Sequence, residues 1–178
     1  MNINEFRDGI FALRTRRFGN VAEIMIKKIY QLEDSHTLEY DKFDLLQNKR
    51  IEVKFSTVMK ENDEKISEAN VIEQCFKANI ANRAMQYEDR TKYKFDCNIQ
   101  QIKCVEFDIL YYGLFFADKI LLFKITSDEV KNCYGYSNKQ HRNNEGEGQF
   151  HINNDTFQYH QRYLIKELDY SELYNILK

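Results

Sequence analysis

The chain contains no proline and no tryptophan, and only six of its 178 residues are glycine. Linkers between domains are commonly rich in proline, glycine or serine, and no such segment interrupts this sequence. Its content of 43% hydrophobic and 14% aromatic residues is typical of a folded chain and argues against disorder. We therefore predict a single domain over residues 1–178.

Long apolar runs are also missing. No stretch approaches the roughly 20 apolar residues that a membrane-spanning helix requires. The amino-terminal residues 1–6 lack the basic and apolar blocks of a signal peptide. The sequence therefore predicts a cytoplasmic protein with no membrane partner.

The few cysteines show no metal-binding pattern. They form neither a CxxC pair nor a zinc-ligand spacing, so we expect reduced thiols: Cys75, Cys97, Cys104 and Cys133. The net charge of −2 gives the whole molecule no attraction for polyanions. Any binding to nucleic acid would therefore depend on a local basic surface.

Apolar periodicity predicts a mixed α/β protein. Stripes at helical spacing predict helices over residues 3–13 and 18–32 and a long helix over residues 66–87. Residues rich in β-formers predict strands over 106–116 and 120–125, joined by a turn at residues 117–119. Thr126 to Glu129 has the sequence of a capping box that starts a short helix, and the tail from Thr156 is expected to be helical.

The most informative segment is a predicted hairpin over residues 38–56. Three apolar residues alternate with three polar ones along its second strand: Ile51, Val53 and Phe55 with Glu52, Lys54 and Ser56. A three-residue turn at residues 47–49, in which Asn48 tolerates positive φ, would place Asp44 directly opposite Glu52. Because opposed carboxylates about 5 Å apart repel, this register predicts a divalent cation between them, with Lys54 beside it.

Asp44 followed by Glu52-Val53-Lys54 resembles the active-site motif of the PD-(D/E)xK nuclease superfamily, which includes many type II restriction endonucleases. The motif covers about a tenth of the chain, and Phe43 stands where the family often has proline. The order of predicted elements is also similar to the family's architecture. The resemblance implies a restriction-endonuclease-like mixed central sheet flanked by helices.

The resemblance also implies roles for individual residues. Asp44, Glu52 and the Val53 carbonyl are expected to bind Mg²⁺, for which Mn²⁺ can substitute, and Lys54 is expected to position or activate water. Family members often add a glutamate from a preceding helix, and Glu23 occupies such a place. An ordinary ion pair between Glu23 and Lys27 is the alternative.

The function implied by the resemblance is that of a type II restriction endonuclease that acts on double-stranded DNA as a homodimer. Two alternatives remain open. One is a repair or recombination nuclease that recognises DNA structure, and the other is a non-cleaving DNA-binding module on the same fold. An intact set of Asp44, Glu52 and Lys54 argues against the second alternative.

Residues 134–154 contain many side chains that can read base edges, together with glycines that let the backbone approach a groove. A recognition loop is one hypothesis, and a long surface loop ending in a short strand is the other. The candidate base-reading residues are Lys139, Gln140, His141, Arg142, Asn143 and Asn144. Arg16 and Arg17 are candidates for contacts with phosphates.

Overall fold

The computed structural model describes residues 2–61, 64–139 and 145–178. Within these ranges the helices are α1 (Ile3–Phe11), α2 (Thr15–Tyr30), α3 (Val71–Lys77), α4 (Ile80–Arg83), α5 (Ser127–Val130), α6 (Phe157–His160) and α7 (Tyr170–Leu177). The strands are β1 (Glu33–Asp34), β2 (Lys42–Asp44), β3 (Lys49–Thr57), β4 (Asp96–Ile102), β5 (Ile109–Phe115), β6 (Ile120–Thr126), β7 (Ser137–Lys139), β8 (Glu145–Asn153) and β9 (Leu164–Leu168). The fold is mixed α/β, as the sequence predicts.

The strands form two sheets. The main sheet has the order β1-β2-β3-β5-β6-β9, in which β3 and β5 are parallel and all other neighbours are antiparallel. The second sheet is antiparallel, with the order β4-β8-β7. The chain between β3 and β5 carries α3, α4 and β4, so the parallel crossover also supplies the first strand of the second sheet.

The main sheet is covered on both faces. Apolar side chains of α1, α2 and α7 pack against one face, while β4 and β8 of the second sheet pack against the other. Every residue of β5 is buried, which explains why its sequence is a continuous apolar run without alternation. Helices therefore flank the mixed sheet on one face, and most of the other face is covered by a smaller sheet.

Gly113 in β5 marks a close approach between neighbouring strands. A Cβ atom at this position would collide with the Phe55 ring from β3 and with the Leu121 carbonyl from β6. Phe55 also makes an edge-to-face contact with Phe115, at 5.8 Å between ring centroids. The missing side chain of Gly113 thus provides the space that seats Phe55.

Several local predictions are confirmed. The first two helices, both strands of the β5–β6 hairpin and the turn between them lie where the sequence pattern places them. Thr126 accepts a hydrogen bond from the Glu129 amide, and the Glu129 carboxylate accepts one from the Thr126 amide, which completes the predicted capping box. All four cysteines are free thiols.

The predicted long helix over residues 66–87 is wrong. The segment contains only the short helices α3 and α4, and Ile72 and Phe76 are mostly exposed. Met85 then donates its amide to the Val58 carbonyl, while its own carbonyl accepts from Ala117. These long-range backbone bonds require an extended chain at Met85, so they end the helical segment before it.

The tail is only partly helical. Its final helix α7 begins with a capping box between Asp169 and Glu172, as the sequence predicts. Before it, residues 164–168 form β9, which pairs with the edge of β6. None of the helices in the described ranges combines the length and the apolar character that a bilayer-spanning segment requires.

Candidate active site

The β2–β3 hairpin has a different register from the predicted one. Asp44 pairs with Lys49, and Lys42 pairs with Ile51, so the connecting turn contains four residues instead of three. Asn48 adopts the expected positive φ of 53°. The predicted pairing of Asp44 with Glu52 is wrong, because the partner of Asp44 lies three residues earlier in β3. Since side chains alternate between faces along a strand, this odd shift moves Asp44 to the opposite face of the sheet from Glu52.

Asp44 is part of the hairpin turn. Its Oδ1 accepts hydrogen bonds from the amides of Leu46 and Gln47, each at 3.0 Å, and its Oδ2 accepts one from Gln47 Nε2 at 2.8 Å. Asp side chains commonly stabilise turns by accepting bonds from the following amides. The structure therefore does not bring Asp44 to Glu52 and Lys54.

Asp41 occupies the position opposite Glu52. Its amide donates to the Ile51 carbonyl at 3.0 Å, and its Oδ2 accepts from the Val53 amide at 2.8 Å. Among the described residues no strand pairs with this edge of β3 beyond Ile51. The Asp41 side chain thus replaces a strand partner where the edge of β3 becomes open.

Lys54 lies between two carboxylates. Its Nζ is 3.7 Å from Asp41 Oδ2 and forms an ion pair with Glu52 Oε1. Burial alone would lower the pKa of Lys54, but the negative charges of Glu52 and Asp41 outweigh it and raise the pKa. Lys54 is therefore held as a cation in a partly buried position.

Glu52 is almost fully buried, at 8% exposure. Burial raises the pKa of Glu52 to about 7, with a further increase from the charge of Asp41, although Lys54 opposes both effects. The carboxylate would be more easily ionised with additional positive charge nearby. Lys54 is therefore a cation whose charge favours the ionised form of Glu52.

Glu23 approaches the same region from α2. Its Oε2 accepts a hydrogen bond from Lys42 Nζ at 2.8 Å, and Lys42 also lies 3.4 Å from Asp34. Lys27, the alternative partner considered for Glu23, instead pairs with Asp34. The charge of Glu23 contributes to the raised pKa of Lys54, so Glu23 belongs to the same electrostatic group.

A cleft of about 850 Å³ opens beside this group, between α2, the open edge of β3 and β4. It is large enough for a substantial ligand. The polar side chains along it come from three elements: Arg16, Asn20 and Glu23 of α2, Lys54 and Ser56 of β3, and Asn98, Gln100 and Gln101 of β4.

The oxygen atoms at the site are suitable ligands for a hard divalent cation. Asp41 and Glu52 supply carboxylates, and the Val53 carbonyl points towards the same open edge because the amide and carbonyl of one strand residue share a side. Oxygen ligands of this kind are typical for Mg²⁺, which retains several waters. The described residues contain no group of three or more His, Cys, Asp or Glu side chains that could hold a metal.

The predicted DNA-contacting residues lie in different places. Arg16 lines the cleft, whereas Arg17, also exposed in the first turn of α2, does not. Lys139 ends β7 and is exposed. The remaining candidates lie outside the described residues: Gln140, His141, Arg142, Asn143 and Asn144.

Sequence reasoning missed Asp41, Lys42 and the amide side chains of β4. A turn at residues 45–48 identifies Asp41, because with that turn position 41 lies opposite position 52. Asp41 precedes Glu52 by 11 residues and keeps the order Asp, Glu-x-Lys of the nuclease motif. Neither the protein-family models nor the curated proteins compared with this sequence match it. The predicted resemblance to PD-(D/E)xK nucleases thus rests on these residues alone.

Proposed function

We propose that the protein is a Mg²⁺-dependent endodeoxyribonuclease of the PD-(D/E)xK type, with a restriction-endonuclease-like fold. The observation that carries this proposal is the convergence of Asp41, Glu52 and Lys54 at an open strand edge beside a large cleft. Asp41 takes the place that the sequence pattern gave to Asp44. The substrate is double-stranded DNA, and the cellular role is that of a type II restriction enzyme in the cytoplasm.

Asp41, Glu52 and the Val53 carbonyl would hold Mg²⁺. The bound ion would supply Lewis acidity to the scissile phosphate and increase the acidity of a water molecule. The ion would compensate the negative charges of both carboxylates, and the Lys54 ammonium would then be available to the substrate. The donor groups on the protein fit this ion because all of them are oxygens.

Lys54 acts directly on the substrate. Its ammonium donates hydrogen bonds to a non-bridging phosphate oxygen or to the attacking water, and its positive charge stabilises negative charge that develops during hydrolysis. Before the ion binds, the negative charges of Glu52 and Asp41 favour the protonated form of Lys54, whose pKa they raise. Glu23 and Lys42 form a neighbouring ion pair that fixes the position of Glu23 at the side of the cleft.

A homodimer would provide one such site for each DNA strand, and a two-fold dimer matches a palindromic sequence. This assembly is part of the proposal. Sedimentation or light scattering of the protein with a cognate duplex in Ca²⁺ measures it directly. Two chains for each duplex support the assembly, and one chain for each duplex contradicts it.

Metal-dependent nicking of supercoiled plasmid DNA tests the proposed activity. We expect cleavage in Mg²⁺ or Mn²⁺ and no cleavage in excess EDTA. Ca²⁺ should support binding without turnover, because its looser coordination places the water poorly. Undiminished cleavage in EDTA would rule out the mechanism, and metal-dependent binding without cleavage in Mg²⁺ would favour the non-cleaving DNA-binding module.

A further inference from the structure

The wall of the cleft opposite α2 is formed by β4. Three amide side chains line it, Asn98, Gln100 and Gln101, and none of them is charged. β4 lies close to the end of β3, since the Cys97 thiol donates to the Thr57 carbonyl at 3.7 Å. This amide wall is therefore continuous with the strand edge that carries Lys54.

The side chains of the β4–β8 pair divide sharply between two faces. Ile99, Phe150 and Ile152 are at most 1% exposed and fill the core between the two sheets. Asn98 and Gln100 pair with His151 and Gln149 and point to the opposite face. The outer face of this β4–β8 ribbon, to which β7 adds a third strand on the β8 side, is consequently polar, with hydrogen-bonding side chains where the cleft begins.

Asn98 has an unmet hydrogen-bonding requirement. Its Nδ2 donates to Gln149 Oε1 at 3.0 Å, while its Oδ1 is buried and has no hydrogen-bond partner among the described residues. A buried acceptor without a donor costs free energy in the isolated protein. A ligand that supplies an N–H group at this wall would remove that cost once the Asn98–Gln149 pair turns towards it.

A β-bulge changes the direction of β4 where it borders the cleft. The pairing of β4 with β8 shifts between Gln100 and Ile102, and Gln101 adopts a left-handed φ of 60° without being glycine. Bulges of this kind redirect side chains, and a non-glycine residue in this region stores strain. Here the bulge makes two consecutive glutamines, Gln100 and Gln101, exposed at the cleft.

We propose that the outer face of the β4–β8 ribbon, with Asn98, Gln100, Gln101 and Gln149, reads the base edges of duplex DNA and prefers adenine. The inference rests on the proposed nuclease function and assigns its sequence specificity. Strands of a β-sheet can enter a DNA groove, and a side-chain amide matches the N6 donor and N7 acceptor of adenine. Arg16 on the opposite wall is placed to contact the phosphate backbone.

Charge is compatible with this occupant. The four amides carry no charge, and two carboxylates flank them on the same face: Asp96, which pairs with His151 Nδ1 at 2.8 Å, and Glu147, two residues from Gln149 on β8. A duplex that enters the cleft would meet Arg16 and Lys54 as cations, Glu23 in its ion pair with Lys42, and neutral amides along the β4 wall. This arrangement separates phosphate binding from base reading.

Selection from a randomised duplex library tests the inference. Fragments cleaved in Mg²⁺ are sequenced for the wild type and for Asn98→Ala, Gln100→Ala and Gln100→Arg. We expect the wild type to select a defined site containing adenine. Gln100→Ala should reduce the cognate preference at one base pair at least tenfold, and Gln100→Arg should shift that position towards guanine, because arginine is bidentate to guanine.

Gln158→Ala is the matched control, since Gln158 is an exposed amide on α6 outside the cleft. It should select the wild-type site. Thermal melting identifies any variant that fails to fold, and the exposed Gln100 keeps the test decisive if Asn98→Ala is unstable. An unchanged selected site in both folded Gln100 variants overturns the inference while leaving the nuclease activity intact. Absence of any metal-dependent cleavage or binding by the wild type would overturn both proposals.

Discussion

Asp41 and Asp44 lie three residues apart in the same hairpin but have different surroundings. At the tip, Asp44 accepts three hydrogen bonds from the turn that it stabilises. At the base, Asp41 accepts one backbone hydrogen bond and faces Lys54 across 3.7 Å. Asp44 therefore has little capacity left for a ligand, whereas Asp41 retains a carboxylate oxygen at an open strand edge. The comparison shows that strand register, more than residue type, determines which aspartate lies beside Lys54.

The largest expected effect comes from removing the charged groups at the base of the hairpin. Lys54→Ala, Glu52→Gln and Asp41→Asn should each reduce the rate of metal-dependent plasmid cleavage by about 10² to 10³-fold, because each loses a charge that acts in the transition state. Circular dichroism checks that the variants fold. Asp44→Asn is the control and should cleave at nearly the wild-type rate. If folded Asp44→Asn loses most of its cleavage rate while Asp41→Asn stays active, Asp44 and not Asp41 is the acid that acts in catalysis.

A polar group buried in the core provides the next test, because it contributes to the fold alone. His160 contacts the Tyr112 hydroxyl through Nδ1 at 3.0 Å and stacks on Phe150. Burial lowers the pKa of His160 to about 4. Since the unfolded chain has the higher pKa, it binds the proton first as the pH falls. Stability should thus be lost between about pH 6.5 and pH 4, by roughly 3 kcal/mol.

Urea denaturation at several pH values measures this loss. His160→Phe should be less stable at neutral pH, because the Tyr112 hydroxyl loses its partner, but most of the decline between pH 6.5 and pH 4 should disappear. His36→Gln is the control, because His36 is exposed, and it should keep the wild-type decline. An equal decline in wild type and His160→Phe would show that other groups control acid stability.

The tip of the hairpin should affect stability more than catalysis. Asp44→Ala removes the acceptor for the Leu46 and Gln47 amides and should lower the free energy of unfolding by about 1–2 kcal/mol. Asp44→Asn retains Oδ1 as an acceptor and should lower it less. Urea denaturation gives the energies, and cleavage per folded molecule should not change. A fully stable Asp44→Ala variant would mean that the turn does not depend on this side chain.

The smallest effect should separate two neighbouring arginines of α2. Arg16 lines the cleft and Arg17 does not. Arg16→Ala should weaken binding to all duplexes by roughly 1 kcal/mol. It should also reduce the slope of log K against log salt concentration by about one, the value for one lost phosphate contact, while Arg17→Ala has less effect on both. Fluorescence anisotropy in Ca²⁺ at two salt concentrations measures both. Equal effects of the two substitutions would place the DNA outside the cleft.

The sequence predicts those elements whose pattern is determined locally. The helix that carries Glu23, the strand that carries Glu52 and Lys54, and the capping box at Thr126 all follow from periodicity or from contacts within four residues. The buried strands β5 and β6 follow from continuous apolar runs. These elements include most of the candidate site, because Glu52 and Lys54 share one strand.

Features that depend on distant parts of the chain were not predicted. A helical stripe through Ile72 and Phe76 suggests a long helix, yet both side chains are exposed, and the backbone of Met85 pairs with Val58 and Ala117. The segment at residues 164–168 becomes a strand because β6 offers it an unpaired edge. The identity of the proposed first catalytic acid depends on where the hairpin turns: a turn at residues 45–48 instead of 47–49 moves the pairing by three positions, and composition does not determine this.

Gly113 limits how this site can change. Its missing side chain leaves room for the Phe55 ring, and Phe55 follows Lys54 on the strand that borders the cleft. Even alanine at position 113 would push against Phe55 and against the rigid Leu121 carbonyl. Natural or directed evolution of this protein can therefore vary the exposed amides of the β4 wall far more freely than the buried position 113. The proposed sequence specificity can therefore change by substitution at the surface, whereas Gly113 at the centre of the sheet tolerates almost no substitution.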